Sequence, residues 1–260
     1  MTPNGVGIVC ALAREARHLG GAGGRLTEPL PRAKAASRLA RIVSLDDGTL
    51  LAISGMGGAA ARSAADTLID AGVRALASWG MAGGLDPTIA PGTVCLPEEV
   101  TTPDGKSLRT ADYWRERLGG ALSGREAVHR GRLLTVGSPV ASPADKAALY
   151  ARTGAVAVDM ESAAVAEVAR GRGLPFIAVR VIVDAAHDVL PRTIAAAADQ
   201  GEEVHLWQLM GALARAPADL APIIRLARRY RSASRSLAAV ARTAPLARLA
   251  FPGGPDTARP

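Results

Sequence analysis

Short apolar runs alternate with stretches of helical periodicity through the first third of the chain. Residues 6–10 form an apolar run of strand length, followed by a helix-like stretch over 11–19 and a glycine-rich loop over 20–24. A second strand is expected at 50–54. It runs into Gly55, Gly57 and Gly58, then a helix over 59–71 stopped by Gly72, then a strand over 74–79. Strand, helix, strand in this order predicts a parallel or mixed sheet with helices packed on its faces.

The middle of the chain is less regular. Pro87, Pro91, Pro97 and Pro103 divide it into short extended pieces, and residues 118–132 are read equally well as a loop or a short helix. Strands are expected again at 133–136, 155–158 and 176–183, the last two separated by a helix over 161–172 that Gly173 and Pro175 end. After Pro191 the pattern turns helical to about Arg242. Leu220, Ile223, Ile224, Ala227, Tyr230 and Leu237 fall on one stripe, with Arg225, Arg228, Arg229 and Arg235 largely opposite, which predicts a basic amphipathic helix. The expected fold class is α/β: one domain over residues 1–250 with a central mixed, twisted sheet flanked by helices, and a flexible tail over 251–260.

Composition narrows the function classes only slightly. Hydrophobic residues make up 48% and charged residues 21% of the 260 positions, ordinary globular usage with room for a large core. The net charge of +7 attracts nucleic acid, an anionic membrane surface or a phosphate-bearing substrate alike. Lysine is rare, with Lys34, Lys106 and Lys146 among 31 basic residues. Cys10 and Cys95 lack disulfide or zinc-ligand spacing, and His18, His129, His187 and His205 lack metal-ligand spacing, so no metal is expected. The apolar run near the N-terminus is too short to span a bilayer and has no basic leader; a cytoplasmic location is expected. Trp79, Trp114 and Trp207 are expected in the core or an interface.

Three segments carry candidate chemistry. Gly55 to Ala60 matches a Gly-x-Gly-x-x-Ala dinucleotide fingerprint between a strand and a helix, yet the following strand ends in Ser78, Trp79 and Gly80 where that fingerprint expects an acid for the ribose. Glycines that merely permit a tight turn explain the motif as well. In the second, Val158-Asp159-Met160-Glu161, two carboxylates flank a strand-to-helix junction. Asp159 suits a helix N-cap, whereas Glu161 falls at a sheet edge where open α/β sheets bind ligands. The third is the apolar strand holding Arg180 and releasing Asp184, which is either a site or an internal ion pair, because buried charges need partners.

Together these segments resemble the nucleoside phosphorylase and nucleosidase family, especially bacterial nucleosidases acting on methylthioadenosine and adenosylhomocysteine. Residues 7–15 look like the family's opening strand and first acidic residue, and residues 54–57 and 80–85 look like its two glycine loops. Met160-Glu161 and the Arg180 to Asp184 segment complete the series. Arg180 to Asp184 followed by His187 to Pro191 and the basic helix are most similar to the branch associated with hopanoid biosynthesis.

The resemblance implies cleavage of a purine N-ribosidic bond, with adenosylhopane as substrate, adenine as one product, and no cofactor. It implies that Asp184 protonates or hydrogen-bonds the purine N7, that Glu161 holds the ribose hydroxyls with Met160 beneath the sugar, and that Glu15 orients and deprotonates the attacking water. By helical periodicity alone, Glu15 reads as an exposed residue paired with Arg14 or Arg17. Arg180, Gly57 and Met81 fall at the implied nucleophile or phosphate site, and Gly83, Val140 and Val183 at the base pocket. Val183 stands where the nucleosidases carry serine, Met81 where they carry a small polar residue, and Pro139 and Val140 where an aromatic stacks on the base. Water and phosphate stay open as nucleophiles. A homo-oligomer, peripheral membrane contact through the basic helix, and no nucleic-acid partner are implied as well. Two readings of other classes compete: an NAD-dependent oxidoreductase resting on Gly55 to Ala60, and a membrane-surface binding module resting on the arginine-rich helix.

Overall fold

The computed structural model describes residues 5–20, 41–45, 47–190 and 220–251. Their core is one eleven-stranded mixed sheet. Strand β1 (Val6–Cys10) lies between β3 (Leu50–Ile53) and β4 (Ala75–Gly84), parallel to both, and β2 (Arg41–Ser44) adds antiparallel to β3. On its other side β4 pairs in parallel with β11 (Phe176–Asp184) and, near its end, antiparallel with β10 (Ala157–Asp159). The remaining strands are short: β5 (Val94–Cys95), β6 (Glu99–Thr101), β7 (Ser107–Arg109), β8 (Val128–His129) and β9 (Leu133–Thr135).

Alternation along the central strands sorts side chains onto two faces. Val6, Ile8 and Cys10 of β1, Trp79 of β4, and Ile177, Val179 and Val181 of β11 join one core cluster. That cluster also takes Ala16 of α1 (Ala13–Gly20), Trp114 of α3 (Asp112–Leu122), and Leu237 and Val240 of α6 (Leu220–Thr243). Val9, Leu76, Ala178 and Ile182 point into a second cluster with Leu68 of α2 (Gly58–Asp70) and Val165 of α5 (Ser162–Gly171). The small residues Ala61, Ala64, Ala163 and Ala164 let α2 and α5 lie close together. A third, smaller cluster of Leu85, Leu134, Ala155 and Val158 lies beneath Leu149 and Tyr150 of α4 (Pro143–Thr153). A short helix, α7 (Leu246–Leu249), follows α6, and Phe251 packs on the first cluster.

The α/β architecture and the strands expected near 6–10, 50–54, 133–136, 155–158 and 176–183 are present. The structure differs at three places. The second glycine segment, expected as a loop, continues strand β4 to Gly84, because missing side chains admit the neighbouring strand's polar groups without breaking the ladder. Residues 118–132 divide into the end of α3 and the strand β8. Helix α4, which the apolar pattern alone does not announce, is set by Ser142, whose Oγ accepts the Asp145 N–H at 3.0 Å, with Pro143 in the first turn and Gly154 in a left-handed cap at φ +63°. The loop expected over 21–24, the helical pattern between Pro191 and residue 219, and residues 252–260 of the expected tail lie outside the described residues.

Candidate active site

The register between β4 and β11 places the charged groups. Arg180 stands opposite Gly80, and Asp184 opposite Gly83 after an irregularity between Ile182 and Asp184. A Cβ on Gly80 would lie 2.8 Å from Arg180 Nη1 and 3.0 Å from Glu15 Oε2. Only glycine leaves room there for a guanidinium and a carboxylate to close on one stretch of backbone. A Cβ on Gly83 would meet Val158 Cγ1 at 3.3 Å and Asp184 Oδ1 at 3.4 Å, tight but relieved by a small shift, so that position is less demanding.

A cavity of about 460 Å³ opens where β1, β3 and β11 end, the edge of an α/β sheet at which ligands bind. Glu15, Met81, Gly83, Val140, Met160, Glu161, Val183 and Asp184 all line it. Two of the expected site residues, Gly57 and Arg180, stand behind that lining. The Gly57 N–H donates to Glu161 Oε1 at 2.9 Å from a backbone with φ +94°, a conformation that suits glycine. This bond engages the turn of the dinucleotide-like motif with a carboxylate of the chain itself.

Arg180 is 2% exposed and is held by three groups. Its Nε donates to Asp159 Oδ2 at 2.8 Å, its Nη2 donates to Ser78 Oγ at 2.8 Å, and Nη2 lies 3.8 Å from Glu161 Oε2. Asp159 also accepts from Thr135 Oγ1 at 2.6 Å and from the Ser162 N–H at 3.1 Å, so it caps the start of α5 as well as pairing with Arg180. Ser162 Oγ in turn donates to Ser78 Oγ at 3.1 Å. The internal ion pair and the cavity therefore coexist: Asp159 and Arg180 form a buried, hydrogen-bonded base on which Glu161 is mounted.

Glu15 is 5% exposed, a correction to the exposed helix residue that periodicity alone suggests. Helix α1 begins at once after β1, which turns Glu15 toward β4. Its Oε1 accepts the Met81 N–H at 3.2 Å, and its carbonyl accepts the Trp79 indole N–H at 3.3 Å. Burial raises the Glu15 carboxyl to about 7, with Arg180 opposing and Glu161 adding to the rise. Burial raises Glu161 too, and nearby Asp159 pushes it further. Burial also raises Asp184, opposed by the ammonium of Lys146. For Arg180, burial works against the charged form, but Asp159, Glu161 and Glu15 outweigh it and hold the guanidinium above its usual range.

Sequence reasoning misses Lys146. This residue, on α4, is fully buried; its Nζ pairs with Asp184 and donates to the carbonyls of Ala185 at 2.9 Å and Asp188 at 3.2 Å. Two signals for it stand in the sequence: lysine is rare in an arginine-rich chain, and Ser142-Pro143-Ala144-Asp145 announces a helix start just before it. Arg14 lies over the Tyr230 ring, 4.9 Å from its centroid, and both line the cavity, so α6 closes one wall against α1. Among the described residues no group of His, Cys, Asp and Glu is arranged to hold a metal ion, and no helix is long and apolar enough to cross a membrane.

A sheet edge holding four buried carboxylates, Glu15, Asp159, Glu161 and Asp184, around one cavity is a ligand site of the kind open α/β sheets form. Residues 6–225 match the phosphorylase superfamily, and the chain belongs to that superfamily. A search of curated protein sequences returns no match. Among solved structures, the chain is similar to the 5′-methylthioadenosine/S-adenosyl homocysteine nucleosidase of Helicobacter pylori, complexed with a substituted pyrrolidin-3-ol. The TM-score is 0.67 at 17% identity, over 90% of this chain and 96% of that one. Futalosine hydrolase of Helicobacter pylori superposes with a TM-score of 0.67 at 16% identity, over 90% and 96%. The 5′-methylthioadenosine/S-adenosylhomocysteine nucleosidase of Neisseria meningitidis, in complex with methylthio-immucillin-A, gives 0.64 at 19%, over 91% and 98%. These likenesses establish the shared fold.

Proposed function

We propose that this chain cleaves the N-ribosidic bond of an adenine nucleoside. The observation that carries the reading is the convergence of Glu15, Glu161 and Asp184 on one cavity, with Met160 and Met81 beside them. Breaking this bond puts positive charge on the ribose and negative charge on the departing base, and both must be met as they develop. Asp184 serves the base at N7, where a proton makes it a better leaving group. Glu161, fixed by the Gly57 N–H, takes the ribose hydroxyls and places negative charge near the cationic ring. Glu15, raised to about 7 by burial, is poised to take a proton from the nucleophile near neutral pH.

Water is the nucleophile this geometry favours. Glu15 repels an anion, and the guanidinium of Arg180 is engaged by Asp159 and Ser78. Phosphorolysis is the second reading, with Arg14 and Arg231 as the cations on the cavity wall. For the rest of the substrate we propose the lipid nucleoside adenosylhopane, giving adenine and a ribosyl or phosphoribosyl hopane. The resemblance to the hopanoid branch supports this, as does a wall that includes Leu12, Met56, Leu190 and Tyr230. A methylthioadenosine or adenosylhomocysteine nucleosidase is the alternative. On this proposal the enzyme works in the cytoplasm, touches the membrane surface through α6 and assembles as a homo-oligomer.

Adenine release from adenosylhopane and from methylthioadenosine, measured with and without phosphate, tests the reading. Wild-type protein is expected to release adenine and Asp184→Asn to lose about a hundredfold to ten-thousandfold in kcat. Release from neither nucleoside overturns the proposal, and a rate that needs phosphate replaces hydrolysis by phosphorolysis.

A further inference from the structure

Asp184 reaches the cavity; Lys146 does not. The lysine side chain is 1% exposed and the Asp184 side chain 11%, and the three ammonium protons of Lys146 match three acceptors: the Asp184 carboxylate and the carbonyls of Ala185 and Asp188. A carboxylate ion-paired to a buried ammonium depends on a neighbour for the proton it gives a leaving base. The ammonium beside it has one. Two other charged groups face this pair: Arg229 of α6, which acts on Asp184 and pairs with Asp188, and the Asp188 carboxylate, which accepts the Ala185 N–H at 2.7 Å.

We propose that Lys146 and Asp184 act as a one-proton pair, in which Lys146 supplies the proton that Asp184 passes to the departing purine. The inference rests on the nucleosidase reading and extends it to a residue that does not touch the substrate. As the bond between C1′ and N9 breaks, its electron pair passes to the base. N7 takes a proton from Asp184, whose carboxyl has taken one from the Lys146 ammonium, and Lys146 is left as the amine. Water gives its hydroxyl to C1′ and its proton to Glu15. When the products leave, Glu15 loses that proton to solvent and the pair regains one through Asp184, its cavity-facing member. Lys146 is thus a positioning and proton-supplying residue that acts through Asp184.

The test compares Lys146→Met and Lys146→Arg with wild type, following kcat and KM for adenine release from the preferred nucleoside across pH. Methionine removes the charge and the proton. Arginine keeps the positive charge that opposes the upward shift of Asp184 but does not give up its proton. Lys146→Met is expected to lose about a hundredfold in kcat at alkaline pH with KM changed only a few-fold. Its deficit relative to wild type narrows as pH falls, because the buried Asp184 then takes a proton from solvent. Lys146→Arg stays low at every pH. Recovery in Lys146→Arg, or a Lys146→Met deficit that does not vary with pH, makes Lys146 a structural counter-ion and overturns the proposal. Lys146→Gln, which keeps donors for the two carbonyls, replaces Lys146→Met if that variant does not fold. If wild type releases adenine and Asp184→Asn does not, the nucleosidase reading stands whatever these variants do.

Discussion

At the scale of single residues, Glu15 shows function set against stability. Its carboxyl has an ordinary value of 4.5 and is raised by burial to about 7. Between those values the folded chain binds the proton that the unfolded chain has released, so Glu15 contributes stability below about 4.5 that is lost as pH rises through about 7. Above that range its ionised form costs about 3 kcal/mol. Glu15→Gln is therefore expected to raise Tm by several degrees at pH 8 and to lose most of that gain at pH 5, while adenine release falls at both. Calorimetric scans at the two pH values check this, and an equal change at both refutes it. Glu15 also marks a limit of reading one sequence. Helical periodicity sees only α1 and assigns Glu15 to solvent, whereas the strand that buries it begins sixty residues later. Asp184 and Glu161 were legible because a carboxylate at the end of an apolar strand has few structural reasons to be there. Lys146 was not, because its partner lies in a segment remote in sequence.

At the scale of elements, β4 and α4 do the placing. The expected strand over 74–79 is found, but the sequence gives no sign that Gly80 to Gly84 continue it, because glycine is read as punctuation when no neighbour is known. Its neighbour β11 explains two of the glycines: Gly80 and Gly83 stand opposite Arg180 and Asp184. Gly80→Ala is expected to abolish adenine release, since a methyl at 2.8 Å from Arg180 Nη1 displaces the guanidinium or the Glu15 carboxylate. Retention of more than about a tenth of wild-type kcat in a folded Gly80→Ala protein, against the usual hundredfold of a lost acid or base, refutes that tight fit. The two faces of the sheet were legible in outline from β1 and β11, whose apolar runs fit strands covered on both sides.

At the scale of the whole molecule, the net charge of +7 finds one visible outlet on α6, where Arg228, Arg231 and Arg235 are exposed while Ala233, Leu237 and Val240 are buried. Of the expected stripe Leu237 is buried and Tyr230 half-buried but Ala227 is exposed, and of the opposite face Arg228 and Arg235 are exposed while Arg229 is half-buried against Asp188, so the pattern was readable only in part. If this face meets a membrane, the protein is expected to sediment with vesicles rich in anionic lipid, to be released by about 0.5 M salt, and to ignore neutral vesicles. Arg228→Glu with Arg235→Glu should abolish sedimentation and leave adenine release from soluble methylthioadenosine unchanged. Sedimentation unaffected by those changes removes α6 from the membrane contact.

The bonds that assemble the cavity span long stretches of chain: Trp79 to Glu15, Gly57 to Glu161, Lys146 to Asp184. Strand β11, which carries Asp184, inserts beside β4 after most of the sheet has been synthesised. A nascent chain that ends before β11 therefore has no complete cavity, because non-local parallel pairing has to wait for that strand. Until then the apolar edge of β4 stands uncovered, and an uncovered strand edge is open to capture by a chaperone or to aggregation.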